Sequence, residues 1–146
     1  MQLEIPFHLE NYIDGYFIGP LSGTFIDNIN PATGEVYGHV PNSNFKDIDV
    51  AVQAAQKACK GWSSMALEKR FLILNRIAEL IDEHMEALAQ AETNDNGKPL
   101  WLSKKVDIYR AAANFRFFAT GLMHFASESH HAEGNMINFT LRQPIG

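Results

Sequence analysis

From Leu67 onward the apolar residues recur at alternating steps of three and four: Leu67, Phe71, Leu74, Ala78, Ile81, Met85 and Leu88. No strand can present that spacing on one face, and an α-helix presents it as a single stripe, which Ile77 and Leu80 widen. The pattern predicts a long amphipathic helix over about 66–93. A helix with one apolar stripe needs another element to cover it. The rest of the chain therefore has to be read for partners.

Two more stripes follow the same rule. Ile48, Val52, Ala55 and Cys59 are helically spaced after Asn44, a cap residue with Asp47 three positions on. Gly61 is the expected stop, and Ser63 or Ser64 the expected cap of the long helix. Beyond Pro99, which suits a first helical turn, Ile108, Ala112, Phe115, Ala119 and Leu122 form a third stripe, with Phe118 and Phe125 beside it.

The first forty residues have no such period. Asp14-Gly15 stands between two β-prone runs and suits the positive φ angles of a type I′ hairpin turn. A second hairpin is expected across "TFIDNINPATGEVYGHV", with Pro31 presetting the turn, Gly34 at its exit and Pro41 ending the pairing. Residues 126–135 read as a solvated loop. In "MINFTLRQPIG", Ile137, Phe139 and Leu141 alternate with Asn138, Thr140 and Arg142, as in a strand over 136–142 with one buried face. The fold class is α/β: hairpins, three amphipathic helices and a terminal strand. The helices carry more apolar face than two small hairpins obviously cover.

Composition narrows the function. Twelve Lys and Arg are scattered among seventeen acids, for a net charge of −5. Nucleic-acid binding needs concentrated basic charge and is disfavoured. One cysteine excludes an intramolecular disulfide framework. "MQLEIPFHLE" lacks a basic leader region, and no apolar run is long enough to span a bilayer. A cytoplasmic protein with no membrane partner is expected.

Local chemistry offers little. "ETNDNGKP" over 92–99 has a Gly-Lys pair, but Pro99 stands where a phosphate loop needs Ser or Thr, and no Gly lies five before Gly97. A helix end followed by a Pro-initiated helix is the plainer reading. Gly-x-Gly-x-x-Gly is absent. Cys59 lies on an apolar stripe and reads as a structural cysteine. His124, Glu128, His130, His131 and Glu133 cluster in sequence without the two-His spacing of a zinc helix. No complete active site is legible.

Read in order, however, the motifs resemble the N-terminal part of the NAD(P)-dependent aldehyde dehydrogenase superfamily. They are "YIDGYFI", "INPATGEVYGHVPN", "DIDVAVQAAQKACKGW", "EKRFLILNRIAELI", "LAQAETNDNGKPL" and "FTLRQPIG". "NFRFFATGLMHFASE" looks closest to the muconic semialdehyde branch. The resemblance implies an incomplete Rossmann-like domain. Residues 1–134 would belong to the coenzyme-binding domain, and 135–146 would start an oligomerisation arm of strands. It implies oxidation of an aldehyde to an acid: a cysteine thiolate attacks, the thiohemiacetal passes hydride to NAD or NADP, and a glutamate activates the releasing water.

Neither that cysteine and glutamate nor the cofactor segment has a matching motif here. No residue is assigned a catalytic or cofactor-binding role, and the chain is expected to be an N-terminal fragment, inactive alone. A non-catalytic interaction or oligomerisation module is the alternative, pairing through strand 136–142 with another copy or with the remainder of the enzyme. The resemblance also implies a monovalent cation site, for sodium or potassium, formed by Asp95 and the backbone carbonyls of Asn28 and Ile29. Oxygen ligands suit such hard cations.

Overall fold

A computed structural model describes residues 6–142, Pro144 and Ile145. Twelve elements follow one another, grouped as four short strands, a helical stretch and a terminal hairpin.

Strands β1 (Asn11–Ile13) and β2 (Tyr16–Ile18) form the first antiparallel hairpin. Its turn places Asp14 at φ 52° and Gly15 at φ 87°, the pair of positive angles that Asp-Gly tolerates. Strands β3 (Phe25–Ile29) and β4 (Val36–Pro41) form the second, and Pro41 is its last residue, as expected. A bulge lies between Asn28 and Ile29. One further pairing has no sequence signature: His8 bridges His39 in parallel, adding Phe7–Leu9 to the outer edge of β4.

Helix α1 (Phe45–Ser63) begins with the expected capping box: the Asn44 side chain accepts from Lys46 N–H, and Asp47 accepts from Asn44 N–H. Two expectations fail at its far end. Gly61 does not stop the helix, which runs on to Ser63. Ser63 and Ser64 cap nothing downstream; their hydroxyls donate back to carbonyls of the α1 last turn, Lys60 for both and Gly61 for Ser64, satisfying acceptors the helix leaves open. The face of α1 also differs. Ile48 is 59% exposed, Val52 and Ala55 are exposed and Cys59 is only half-buried, whereas Asp47 is buried and Ala51 and Ala54 are partly covered beside β1.

The long helix is α2 (Leu67–Glu83) followed by α3 (Met85–Asn96). His84 leaves helical dihedrals at φ −107°, ψ 16°, yet the ladder continues on both sides through His84 N–H to Leu80 and Leu88 N–H to His84. The stripe crosses the break intact: Phe71, Leu74, Ile81, Met85 and Leu88 are all partly covered, and Ala78 and Ala89 are fully buried. Pro99 caps a short helix, α4 (Leu100–Leu102), as its position predicts. The chain then widens into a π-helical segment, Ser103–Ile108, and returns to α-helix in α5 (Tyr109–His124). Helices α2 and α5 pack along a seam of alanines, with Ala78, Ala112 and Ala119 fully buried. Arg116 pairs with Asp82 across it.

Residues 126–135 are not all loop. Strand β5 (Ser129–Ala132) pairs antiparallel with β6 (Met136–Phe139) around Gly134 and Asn135, both at positive φ. Nor does the terminal alternation have a buried face, for Ile137 is 69% and Phe139 67% exposed. The whole chain leaves 11015 Å² accessible, against about 7,500 Å² for a compact monomer of this mass.

Candidate functional site

The "ETNDNGKP" stretch sits where the second hairpin meets the helices. Its first half is the last turn of α3. Gly97 ends that helix at φ 75°, with its N–H on the Thr93 carbonyl, so the reading of a glycine-stopped helix holds. A Cβ on Gly97 would come 2.9 Å from Pro31 Cγ, at the hairpin turn. Glycine is required twice over, by the backbone angle and by this approach.

Lys98 fastens the other side. Its Nζ donates to Glu92 Oε1 at 2.8 Å and to Asp107 Oδ2 at 2.7 Å. The Asp107 carboxylate, then Glu92, raises the ammonium pKa above its ordinary value. This lysine ties the end of α3 to the π-helical segment, where it holds carboxylates rather than a phosphate. The buried Ser103 hydroxyl, at 3.0 Å from Thr93 Oγ1, closes the same junction from below.

Of the three residues expected to hold a cation, two come together through their side chains. Asn28 Nδ2 donates to Asp95 Oδ1 at 3.1 Å. Ile29 follows the bulge and is half exposed. Tyr37 completes the cluster: its hydroxyl donates to Asp95 Oδ1 at 2.8 Å and accepts from Asn28 Nδ2 at 2.9 Å. The Tyr37 hydroxyl, then the Asn28 amide, holds the Asp95 carboxyl below the usual carboxylate range. The Tyr37 phenol is pushed up, by burial first and then by Asp95. Sequence reasoning missed Tyr37. Its signal was a tyrosine near the start of a strand, since the hydroxyl of a partly covered phenol needs a partner.

These groups line a cleft of about 300 Å³ between β3–β4 and α3, with Asn28, Tyr37, Glu92 and Asp95 as its polar wall and Leu9 and Leu88 among its apolar residues. The cleft presents carboxylate oxygens and one amide. It contains no nucleophile. Cys59 lies elsewhere, on α1. The histidine cluster does not converge: His130 and His131 are on β5, while His124 ends α5. Among the described residues no three His, Cys, Asp or Glu side chains could hold a metal together.

Comparison with known proteins gives this scaffold its context. Residues 17–146 match the model of the aldehyde dehydrogenase family. The chain is 45% identical over 139 residues to the 2-aminomuconic semialdehyde dehydrogenase of Bos taurus, covering 94% of this chain and 28% of that protein. It is 37% identical over 143 residues to the 2-hydroxymuconic semialdehyde dehydrogenase of Pseudomonas sp. (strain CF600), covering 94% and 29%. Among solved structures, it is similar to an indole-3-acetaldehyde dehydrogenase complexed with NAD+ (TM-score 0.92, 28% identity, 97% of this chain and 29% of that one). It is also similar to the NAD+ complex of an aldehyde dehydrogenase from Bacillus cereus (TM-score 0.87, 31% identity, 90% and 27%). The chain thus spans under a third of the length of these relatives.

The described residues do not fit a dinucleotide. Nucleotides of that kind sit at the carboxyl ends of parallel strands beside a glycine-rich turn, and the three sheets here are two-stranded and antiparallel. The α/β architecture is nevertheless that of the matched segment of the NAD+-bound relatives. With the motifs in order and the backbone superposing over nearly its full length, the chain belongs to the aldehyde dehydrogenase family.

Proposed function

We propose that these residues form the N-terminal, non-catalytic part of an NAD(P)-dependent aldehyde dehydrogenase acting on a muconic-type semialdehyde in the cytoplasm. The observation that carries this reading is the 45% identity to a 2-aminomuconic semialdehyde dehydrogenase, confined to 28% of that protein's length. The part played by this chain is scaffolding: it positions hairpins and helices and contributes no attacking group. Purified as the 146-residue chain, it should produce no aldehyde-dependent NADH, and Cys59→Ser should change nothing. A signal abolished by Cys59→Ser overturns the reading.

In this proposal residues 1–134 go with the coenzyme-binding domain and 135–146 with the oligomerisation arm. The division falls in the β5–β6 turn. The exposed alternation of β6 favours a second reading, a non-catalytic oligomerisation or interaction module, because such a strand is a pairing template for another copy or for the rest of the enzyme. Light scattering on the isolated chain tests it; a monomer at all concentrations counts against it.

The cleft's proposed role is a cation clip. Asp95 and the carbonyls of Asn28 and Ile29 would hold sodium or potassium and tie the bulged end of β3 to α3. Asp95 Oδ1 is already engaged by Tyr37 and Asn28, so Oδ2 is the oxygen that would ligate. Melting temperatures in sodium, potassium and a bulky organic cation at equal ionic strength separate the outcomes. Cation-dependent stability lost in Asp95→Asn supports the clip, and identical curves for both proteins remove it.

A further inference from the structure

Segment Pro6–Leu9 supplies two apolar residues, Pro6 and Leu9, to the edge of the Asp95 cleft. Its attachment is narrow. His39 N–H donates to the Phe7 carbonyl at 2.7 Å, and Leu9 N–H to the His39 carbonyl at 2.9 Å. Gly38 lets the segment this close, since a Cβ there would meet Phe7 O at 3.1 Å. The side chains add one unusual contact: the imidazoles of His8 and His39 lie face to face, 4.8 Å between centroids and 13° from parallel. Phe7 and His39 make a T-shaped contact with 4.8 Å between centroids, and Phe25 of β3 and His8 make another at 5.6 Å.

We propose that the stacked His8–His39 pair is an acid-released latch that holds Pro6–Leu9 against β4 at the rim of the Asp95 cleft. Asp27 Oδ1 of β3 lies 3.2 Å from His39 Nε2 and would offset a charge on that ring, whose Nδ1 is buried without a hydrogen-bond partner among the described residues. A second proton, on His8, sets two parallel cations face to face with one carboxylate between them and solvent. Asp27 is the charged group facing the pair from β3. Phe7 and Phe25 meet the two imidazoles in T-shaped contacts and bring no charged group to them. The next titratable groups, Tyr37 on β4 and Asp95 on α3, are bonded to each other. Nothing else among the described residues offsets the second charge by an ion pair, and the segment has just two backbone hydrogen bonds to resist it. Release removes Pro6 and Leu9 from the cleft rim and exposes Tyr37 and Asp95 to solvent.

Hydrogen exchange of the full chain, followed by NMR from about pH 8 to about pH 5, where histidines titrate, tests this directly. The Leu9 and His39 amides should lose about tenfold in protection, relative to the hairpin amide of Asn30 as internal reference, a loss in keeping with like charges near a surface. In His8→Phe, which keeps an aromatic ring in the stack and removes the proton, that loss should vanish. The His8 ring carbon shift should move with the same midpoint as Leu9 protection in the wild-type chain. Flat wild-type protection overturns the latch, as does an equal loss in His8→Phe or a His8 midpoint apart from that of opening.

Discussion

The α2–α5 pair and the α1 region are built from similarly amphipathic sequences and reach opposite outcomes. Between α2 and α5, the expected stripes close on each other along buried alanines, with Arg116–Asp82 across the seam. On α1, Ile48, Val52 and Ala55 of the expected stripe are exposed and Cys59 is half-buried, while Asp47 is the helix's buried residue. Periodicity identifies a face that can be buried. Whether it is buried depends on a partner, and within these residues only the first pair has one. Exposed apolar side chains such as Ile48 and Val52 on α1, Ile137 and Phe139 on β6, and Phe117 and Phe118 on α5 belong to faces of the second kind.

That contrast is sharpest in a matched pair of substitutions on α5 itself. Ala112→Leu forces three carbons into the sealed seam and should cost about 1–3 kcal/mol. Phe117→Ala, on a side chain 68% exposed, should cost at most about 0.5 kcal/mol. Urea unfolding of both variants measures the difference. Similar costs would mean that the seam is not the tightly packed region of the fold.

Next in size is Gly97→Ala, where the end of α3 meets the β3–β4 turn. The alanine must adopt φ 75° and its Cβ must displace the Pro31 ring. The left-handed angle alone costs about 1–2 kcal/mol. Pro31→Ala in the same background should recover part of that loss if the ring contact contributes. No recovery would assign the whole effect to the backbone angle.

Much of this was legible in the sequence, for identifiable reasons. Asp14-Gly15, the Asn44–Asp47 box, Pro41, Gly97 and Pro99 act within a few residues of themselves, so local chemistry suffices to read them. The α2 and α5 stripes were legible because their partner lies in the same chain. The outward face of α1 was not, since a helical period carries no record of which neighbour arrives. Strand β5 was hidden because Ser129, His130 and His131 are polar on both faces and leave no alternation. The π-helical segment was hidden too: Lys98–Asp107 and Ser103–Thr93 hold it from outside its own sequence window. At the candidate site, Asp95 and Asn28 were read from the family resemblance. Tyr37, which donates to that carboxylate, was missed because its partner is 58 positions away.

The Tyr37 contact gives a smaller effect than the glycine. Tyr37→Phe removes one hydroxyl that serves both Asp95 and Asn28. The net loss should be about 1 kcal/mol, and Asp95 should titrate closer to an ordinary aspartate. Carbon-detected NMR titration of the Asp95 carboxyl reads that shift separately from stability. An unchanged Asp95 titration would show that the phenol is a bystander, leaving Gly97–Pro31 and Asn28 to join hairpin to helix.

The smallest effect tests the thin attachment of α1. Asp47 Oδ1 accepts from Leu21 N–H at 2.7 Å and Oδ2 from Asn44 N–H at 2.8 Å, so one carboxylate caps the helix and pins the loop after β2. The backbone N–H of Asn44, then that of Leu21, holds its pKa below the ordinary carboxylate value. A carboxyl lowered in the folded state binds fewer protons there than in the unfolded chain. Its contribution is therefore complete above the ordinary aspartate pKa and disappears as pH falls through the lower, folded value. Asp47→Asn keeps one acceptor oxygen, cannot serve both N–H groups with oxygen and does not titrate. Urea midpoints of the two proteins should differ most near neutral pH and converge as pH falls below the ordinary aspartate range. Other carboxylates titrate in both proteins and cancel in that difference. A gap that stays constant with pH would assign the effect of Asp47 to shape alone, and would make the contact between α1 and the hairpin loop as insensitive to charge as the alanine seam.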